Sequence, residues 1–126
     1  MLHSNGYAGR SIPLPVSAPF HCRLMATVAV IMEPALRSTI IREPIVDVIS
    51  NVTGKPFSSA SEIESLLIRQ ITETVQWHRS IKYARDDFVF DWIACGPSQV
   101  LANLLKKNYP HDNIRVISNA KDLSCT

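Results

Sequence analysis

The chain lacks the features that would place it in several large classes. Its 126 residues carry 13 Lys and Arg against 11 Asp and Glu, a net charge of +2. Lys106 and Lys107 are the only adjacent basic pair. Blocks of like charge that bind nucleic acid are longer, so no nucleic acid is expected as a partner, and the pair reads as a solvated helix end. No run reaches the ~18 consecutive apolar residues that a membrane-spanning helix needs. The most apolar stretch, 23–36, is interrupted by Arg23, Thr27, Glu33 and Pro34, so no membrane association is expected. The opening MLHSNGYAGR has no charged segment followed by an apolar core and does not read as a secretory signal. Cys22, Cys95 and Cys125 are odd in number and widely spaced, with no C-x-x-C pair. That pattern argues against a disulfide framework and a zinc site and favours a reducing compartment. No serine stands in a G-x-S-x-G setting. There is no internal repeat, low-complexity tract or linker, so the chain reads as one unit of ordinary domain length.

What is present suits a globular protein: 46% apolar and 19% charged residues. Residues 1–9 are polar and aperiodic and read as a loose lead-in. Residues 10–17 read as a strand that Pro13 and Pro15 confine to an edge. Leu24, Met25, Val28, Ile31 and Met32 recur at helical spacing over 22–33. Pro34 is expected to kink or interrupt that helix, with a short helical stretch continuing to about Ile40. Ile45, Val46, Val48 and Ile49 predict a buried strand. Thr53-Gly54-Lys55-Pro56 predicts a turn. Ser59 to Ser61 offers helix caps, with Ser61-Glu62-Ile63-Glu64 as a capping-box pattern. The next helix places Ile63, Leu66, Leu67, Ile71 and Val75 on one face, and a shorter one is predicted from about Ser80 to Asp86. Phe88 to Ala94 predicts a second buried strand. Gly96-Pro97-Ser98 turns into a helix striped by Val100, Leu101, Leu104 and Leu105, which Pro110 stops. Asn113 to Ile117 predicts a last short strand, and 118–126 a fraying tail.

Strands alternating with helices predict an α/β fold with a parallel sheet. Three or four short parallel strands make a narrow sheet, and parallel sheets need both faces covered and their edges protected. The chain has few helices to do this, so the fold is expected to be incomplete.

His21 ends an apolar strand-like run and precedes the first helix-like run, in RSIPLPVSAPFHCRLM (10–25). A lone histidine at a strand end is ordinarily a satisfied or exposed residue. Cys22, next to it, reads as a small packed thiol and not a nucleophile, because adjacent residues on a regular element point in different directions. The surroundings of His21 change its reading. PLPVSAPFHCRLM (13–25), VISNVTG (48–54), LLIRQITETVQWHRSI (66–81) and GPSQVL (96–101) stand in an order that resembles the malonyl-CoA:acyl-carrier-protein transacylases. The related acyltransferase domains of fatty-acid and polyketide synthases are similar too. The resemblance runs from about Ala8 to Lys107.

The resemblance implies a partial hydrolase-like parallel sheet flanked by helices, with a terminal strand of a small ferredoxin-like lobe, and makes residues 1–126 the C-terminal part of an acyltransferase domain. In that family a serine in a G-H-S-x-G elbow takes a malonyl group from coenzyme A and passes it to the phosphopantetheine thiol of acyl carrier protein. A histidine activates the serine, and the match puts that role on His21. A main-chain carbonyl holds the histidine's other nitrogen, and the match puts that on Gln70, so the Gln70 side chain is not expected to matter. Phe20 is implied to line the substrate pocket, where an aromatic ring fills the space that the methyl of methylmalonyl would need. Such a difference is worth about 1–3 kcal/mol; Phe20 reads equally as core. Asn51 closes SNV at a strand end, where α/β folds gather functional residues, and reads first as a turn-former. His3, His78 and His111 have no such context and read as solvent histidines; Trp77 and Trp92 read as core aromatics.

Malonyl-CoA and acyl carrier protein are the implied substrates and partners, together with the missing N-terminal part of the same domain; no metal or resident cofactor is implied. The serine elbow, the glutamine loop of the oxyanion hole and the arginine that binds the malonyl carboxylate have no match here. Thr27 stands where the family often has proline, and Ala94 where an acidic residue is common. The chain alone is therefore expected to be inactive, as one part of a malonyltransferase of fatty-acid synthesis. The alternatives are a catalytically dead fragment or assembly module, and a slice of a polyketide synthase. The compartment implied is intracellular: the mitochondrial matrix in a eukaryote, otherwise the cytoplasm.

Overall fold

The computed structural model describes residues 18–124. The lead-in (1–9) and the expected strand at 10–17 lie outside the described residues. The chain divides into two compact units at Gln76/Trp77, and nothing in the composition marks that division.

The first unit is built on two helices. A 3-10 turn at Arg23–Met25 leads into α1, Ala26–Ser38. Pro34 lies inside α1, and the helix runs through it to Ser38 without interruption, against expectation. Proline removes one hydrogen-bond donor from the helix. Arg37 braces the turn that contains it, with its Nε and NH2 groups donating to Glu33 at 2.9 and 2.6 Å. The Ser38 and Thr39 hydroxyls both donate to the Ala35 carbonyl and close the helix end. α1 packs on α2, Ala60–Gln70, and Arg37 also reaches Glu64 of α2 at 2.9 Å. Ser59 caps α2 by accepting from the Glu62 N–H. The capping pair is thus Ser59 and Glu62, two residues earlier than the pattern predicted at Ser61 and Glu64. The Glu62 carboxylate accepts from the Ser58 N–H and hydroxyl at 2.7 and 2.8 Å, and these bonds hold its carboxyl below the usual range. Leu66 is 3% exposed and is the buried residue of α2. Ile71 sits at the cap and Val75 lies beyond the helix, so the long helical stripe ends early.

Between the helices, VISNVTG folds as a tight turn. Ile49 and Pro56 form an antiparallel bridge. Ser50 donates its N–H to the Lys55 carbonyl, and its own carbonyl accepts from the Gly54 N–H. Gly54 has φ +67°, where glycine carries no Cβ penalty. Ser50 and Val52 are buried. The buried strand predicted from Ile45 to Ile49 is not formed. Ile45 is 100% exposed and Val46 and Val48 are exposed too, because that bridge is the only strand pairing they reach among the described residues. The α1 stripe is likewise open: α1 buries no residue, and Val28, Ile31 and Met32 are exposed.

The second unit is a β-α-β arrangement preceded by a helix. α3 spans Trp77–Asp86, starting earlier than predicted. It ends on Phe88 with φ +62°. The Val89 N–H bonds the Ala84 carbonyl and the Phe88 N–H bonds the Arg85 carbonyl. This is the Schellman pattern, with phenylalanine where glycine is usual. The second strand therefore starts late: β1 is Asp91–Cys95, and Phe88 to Phe90 are exposed instead of forming a buried strand. α4, Val100–Asn108, crosses to β2, Asn113–Ile117. The strands are parallel, with Asp91 opposite Asn113 and Cys95 opposite Ile117. The fold class is α/β, as expected, and β2 has the predicted bounds; among the described residues two strands pair, and the strand expected at 10–17 lies outside them. Trp92 and Ala94 alternate with the exposed Asp91, Ile93 and Cys95, so one face of the strand is half-covered and the other open.

Ile81, Ala102 and Leu105 are the buried core of this unit, with Ala102 at 0% exposure. Val100, Leu101 and Leu104 are exposed, so the helix is seated by Leu105 of the predicted stripe together with Ala102, which was absent from it. Around Asp112 a polar knot forms. Its carboxylate accepts from both the Arg85 guanidinium and the Trp92 Nε1–H. The Arg85 guanidinium also lies over the Tyr109 ring at 4.2 Å and the Phe90 ring at 5.1 Å. The tail does not fray at its start. The Asp122 carboxylate accepts from the Ser118 and Asn119 N–H groups and nucleates a 3-10 turn at Ala120–Ser124.

Candidate active site

His21 and Gln70 meet. His21 Nδ1 lies 2.8 Å from the Gln70 main-chain carbonyl oxygen. Gln70 is the last residue of α2, and the last four carbonyls of a helix have no partner within it. The Ile71, Thr72 and Glu73 N–H groups turn back to Ile68 and Arg69, so the Gln70 carbonyl is open to a side chain. A carbonyl only accepts, which puts the proton on Nδ1 and leaves the lone pair on Nε2. The Gln70 side chain takes no part in this bond.

The backbone carries His21 there in an unusual way. Phe20 and His21 occupy a turn, and His21 has φ +58°. Glycine and asparagine are the ordinary occupants of that region, and holding another residue there costs on the order of 1 kcal/mol. The Cys22 thiol donates to the Pro19 carbonyl at 3.1 Å across the same turn. The Met25 N–H then bonds the Cys22 carbonyl and starts the helical run.

A cavity of about 250 Å³ opens beside the imidazole, lined by Phe20, His21, Met25, Val28, Gln70 and Ile71. Four of the six contribute apolar side chains. Phe20 is 54% exposed. Asn51 is not among the lining residues. It sits in the tight turn, where its carbonyl accepts from the Gln76 N–H at 2.7 Å. Among the described residues, no group of three or more His, Cys, Asp or Glu could hold a metal ion, and no helix is long and apolar enough to cross a membrane.

No protein-family model matches the chain. The malonyl CoA-acyl carrier protein transacylase of Escherichia coli K12 is 36% identical over 100 residues, 79% of this chain and 32% of that protein. The crystal structure of an acyl-carrier-protein S-malonyltransferase from Bartonella henselae superposes with a TM-score of 0.83 at 32% identity, covering 98% of this chain and 39% of that one. A malonyl-transacylase solved in complex with a type II polyketide acyl-carrier protein superposes with a TM-score of 0.83 at 28% identity, over 96% of this chain and 39% of that one. The chain is related to the malonyl CoA-acyl carrier protein transacylases and carries a portion of their fold. It spans about a third of the curated transacylases it matches.

Of the four residues singled out in the sequence, three come together. His21, Gln70 and Phe20 share the cavity, and Asn51 lies apart from it. Met25, Val28 and Ile71 complete the cavity wall and were not singled out. Their helical spacing marks them only as apolar face residues. No local signal foretells the left-handed backbone at His21, since positive φ is ordinarily signalled by glycine or asparagine.

Proposed function

We propose that the chain is the general-base part of an S-malonyltransferase that moves malonyl groups from coenzyme A to acyl carrier protein. The observation that carries this reading is the His21 Nδ1 bond to the Gln70 carbonyl, which leaves Nε2 free to take a proton. The nucleophile, a serine in a G-x-S-x-G elbow, comes from a part of the domain that this sequence does not contain. His21 Nε2 takes the serine hydroxyl proton as the oxygen attacks the malonyl thioester, and returns it to the departing coenzyme A thiolate. In the second half the carrier-protein thiol gives its proton to Nε2 and attacks the malonyl-serine ester. The proton then goes back to the serine oxygen. No metal or resident cofactor enters these steps. The apolar wall beside His21 limits water near the ester, and Phe20 restricts room for a branched acyl group.

The open faces support the partial character of the chain. Ile45 and Val46 are exposed, as are Val28, Ile31 and Met32 of α1, and exposed apolar surface of this extent marks an interface. We assign it to the remainder of the same domain.

The test is reconstitution. The chain is combined with a polypeptide carrying the serine elbow, and malonyl transfer to acyl carrier protein is followed by mass. Transfer by the mixture, and by neither part alone, is the expected result. A mixture that never forms malonyl-carrier protein overturns the reading and leaves a non-catalytic module.

A further inference from the structure

We propose that Cys22 is a positioning residue for His21, its thiol closing the turn that aims the imidazole. The proposal rests on the reading of His21 as the general base.

Pro19 and Cys22 bracket the two turn residues Phe20 and His21. The Cys22 Sγ–H donates to the Pro19 carbonyl at 3.1 Å, short for a sulfur donor. His21, with φ +58°, is the strained member of that turn, and a strained conformation persists only where its surroundings hold it. Three bonds do so. The Phe20 N–H bonds the Ala18 carbonyl, the imidazole bonds the Gln70 carbonyl, and the thiol bonds the Pro19 carbonyl. The Gln70 contact belongs to the catalytic geometry itself. The thiol is the one side chain besides His21 that ties this turn among the described residues, and nothing in the transfer chemistry uses it. The thiol is half-buried, and its short reach to the carbonyl spans the turn. A serine hydroxyl at the same place would make the same bond, because Ser and Cys differ there only in bond length and donor strength.

The role separates from mere packing by comparing three variants. Cys22→Ser keeps the donor, Cys22→Ala removes it, and Cys22→Val fills the space without it. The first readout needs no activity: the ¹⁵N chemical shifts of the His21 imidazole in the full chain, which report which ring nitrogen carries the proton whether or not that proton exchanges with water. The proposal expects the Nδ1–H tautomer in the wild type and Cys22→Ser, and a shift toward the Nε2–H tautomer that a free imidazole prefers in Cys22→Ala and Cys22→Val at unchanged far-ultraviolet circular dichroism. The second readout is malonyl transfer in the reconstituted mixture. There kcat is expected to fall roughly tenfold or more in the Ala and Val variants, with KM unchanged and Cys22→Ser near wild type, since misplaced catalytic groups lose rate steeply. A persistent Nδ1–H tautomer in Cys22→Ala and Cys22→Val overturns the proposal, and so does a Cys22→Ser variant as impaired as Cys22→Ala. If the resonances behave as expected and no mixture transfers malonyl groups, the malonyltransferase reading fails and the positioning role of Cys22 stands.

Discussion

The two units hold themselves together by different means. The first unit relies on backbone: a helix cap, a tight turn around Ser50, and a helix end whose open carbonyl receives His21. The second relies on side chains: Arg85, Trp92 and Asp112 bonded together, with Tyr109 and Phe90 against the guanidinium. The difference teaches where substitutions matter. In the first unit the backbone path places the site, and stability rests on a few buried side chains such as Leu66. In the second, one carboxylate serves two donors, and its loss strands both.

The largest effect is expected from Leu66→Ala, which empties the buried position of α2. Large-to-small changes at such sites cost about 2–4 kcal/mol, and the loss is read as a fall in the urea midpoint by circular dichroism. Asp112→Asn should come next and sharpen the contrast. The Asp112 side chain is 5% exposed, so the Arg85 charge loses its partner in a sheltered place. Trp77 and Trp92 both lie in the second unit, so tryptophan fluorescence follows that unit alone. Its midpoint is expected to fall clearly. A fluorescence curve unchanged by Asp112→Asn would mean that the knot is not what holds the second unit.

Acid makes the same point by titration. The Arg85 guanidinium hydrogen-bonded to it, together with the Trp92 N–H, holds the Asp112 carboxyl below its ordinary value of 3.8. A depressed folded-state pKa contributes stability that is fully present above the unfolded value and is lost as pH falls through the folded one. The fluorescence midpoint should therefore drop below about pH 4 in the wild type and much less in Asp112→Asn. A smaller effect is expected from Ser59→Ala, which removes the α2 cap at a cost of about 1 kcal/mol, visible by circular dichroism. The smallest is expected from Gln70→Ala, because the working atom there is main chain; its melting curve should overlay the wild type.

The sequence carried much of this, and the failures have physical causes. Asn113 to Ile117 read as a strand and is one, since β-branched residues sit in a short run bounded by turn residues. Ile45 to Ile49 is similarly rich in β-branched residues and is no strand, because a strand is a pairing and among the described residues only the Pro56–Phe57 stretch pairs there. Phe88 to Phe90 misled in another way: the Schellman turn spends those residues on ending α3. Pro34 was expected to kink or interrupt α1, yet the helix continues through it to Ser38, with the Arg37–Glu33 pair and two hydroxyls bonding around its last turn. At the site, the resemblance named His21, Phe20 and the Gln70 carbonyl, whereas composition and periodicity alone left His21 an ordinary histidine. The turn that aims it was not legible, since nothing in P-F-H-C announces a positive φ. Ala102 was missed because a methyl group is too small to weigh in an apolar stripe, though close helix packing favours it.

The most direct test of the central claim compares His21→Ala with Gln70→Ala in the reconstituted malonyl-transfer assay. If His21 is the base and a main-chain carbonyl orients it, the first substitution lowers kcat by roughly 10²-fold or more, and the second leaves it within about twofold. Equal rates for His21→Ala and wild type would contradict the account, and a Gln70→Ala loss as deep as that of His21→Ala would contradict the carbonyl's part in it.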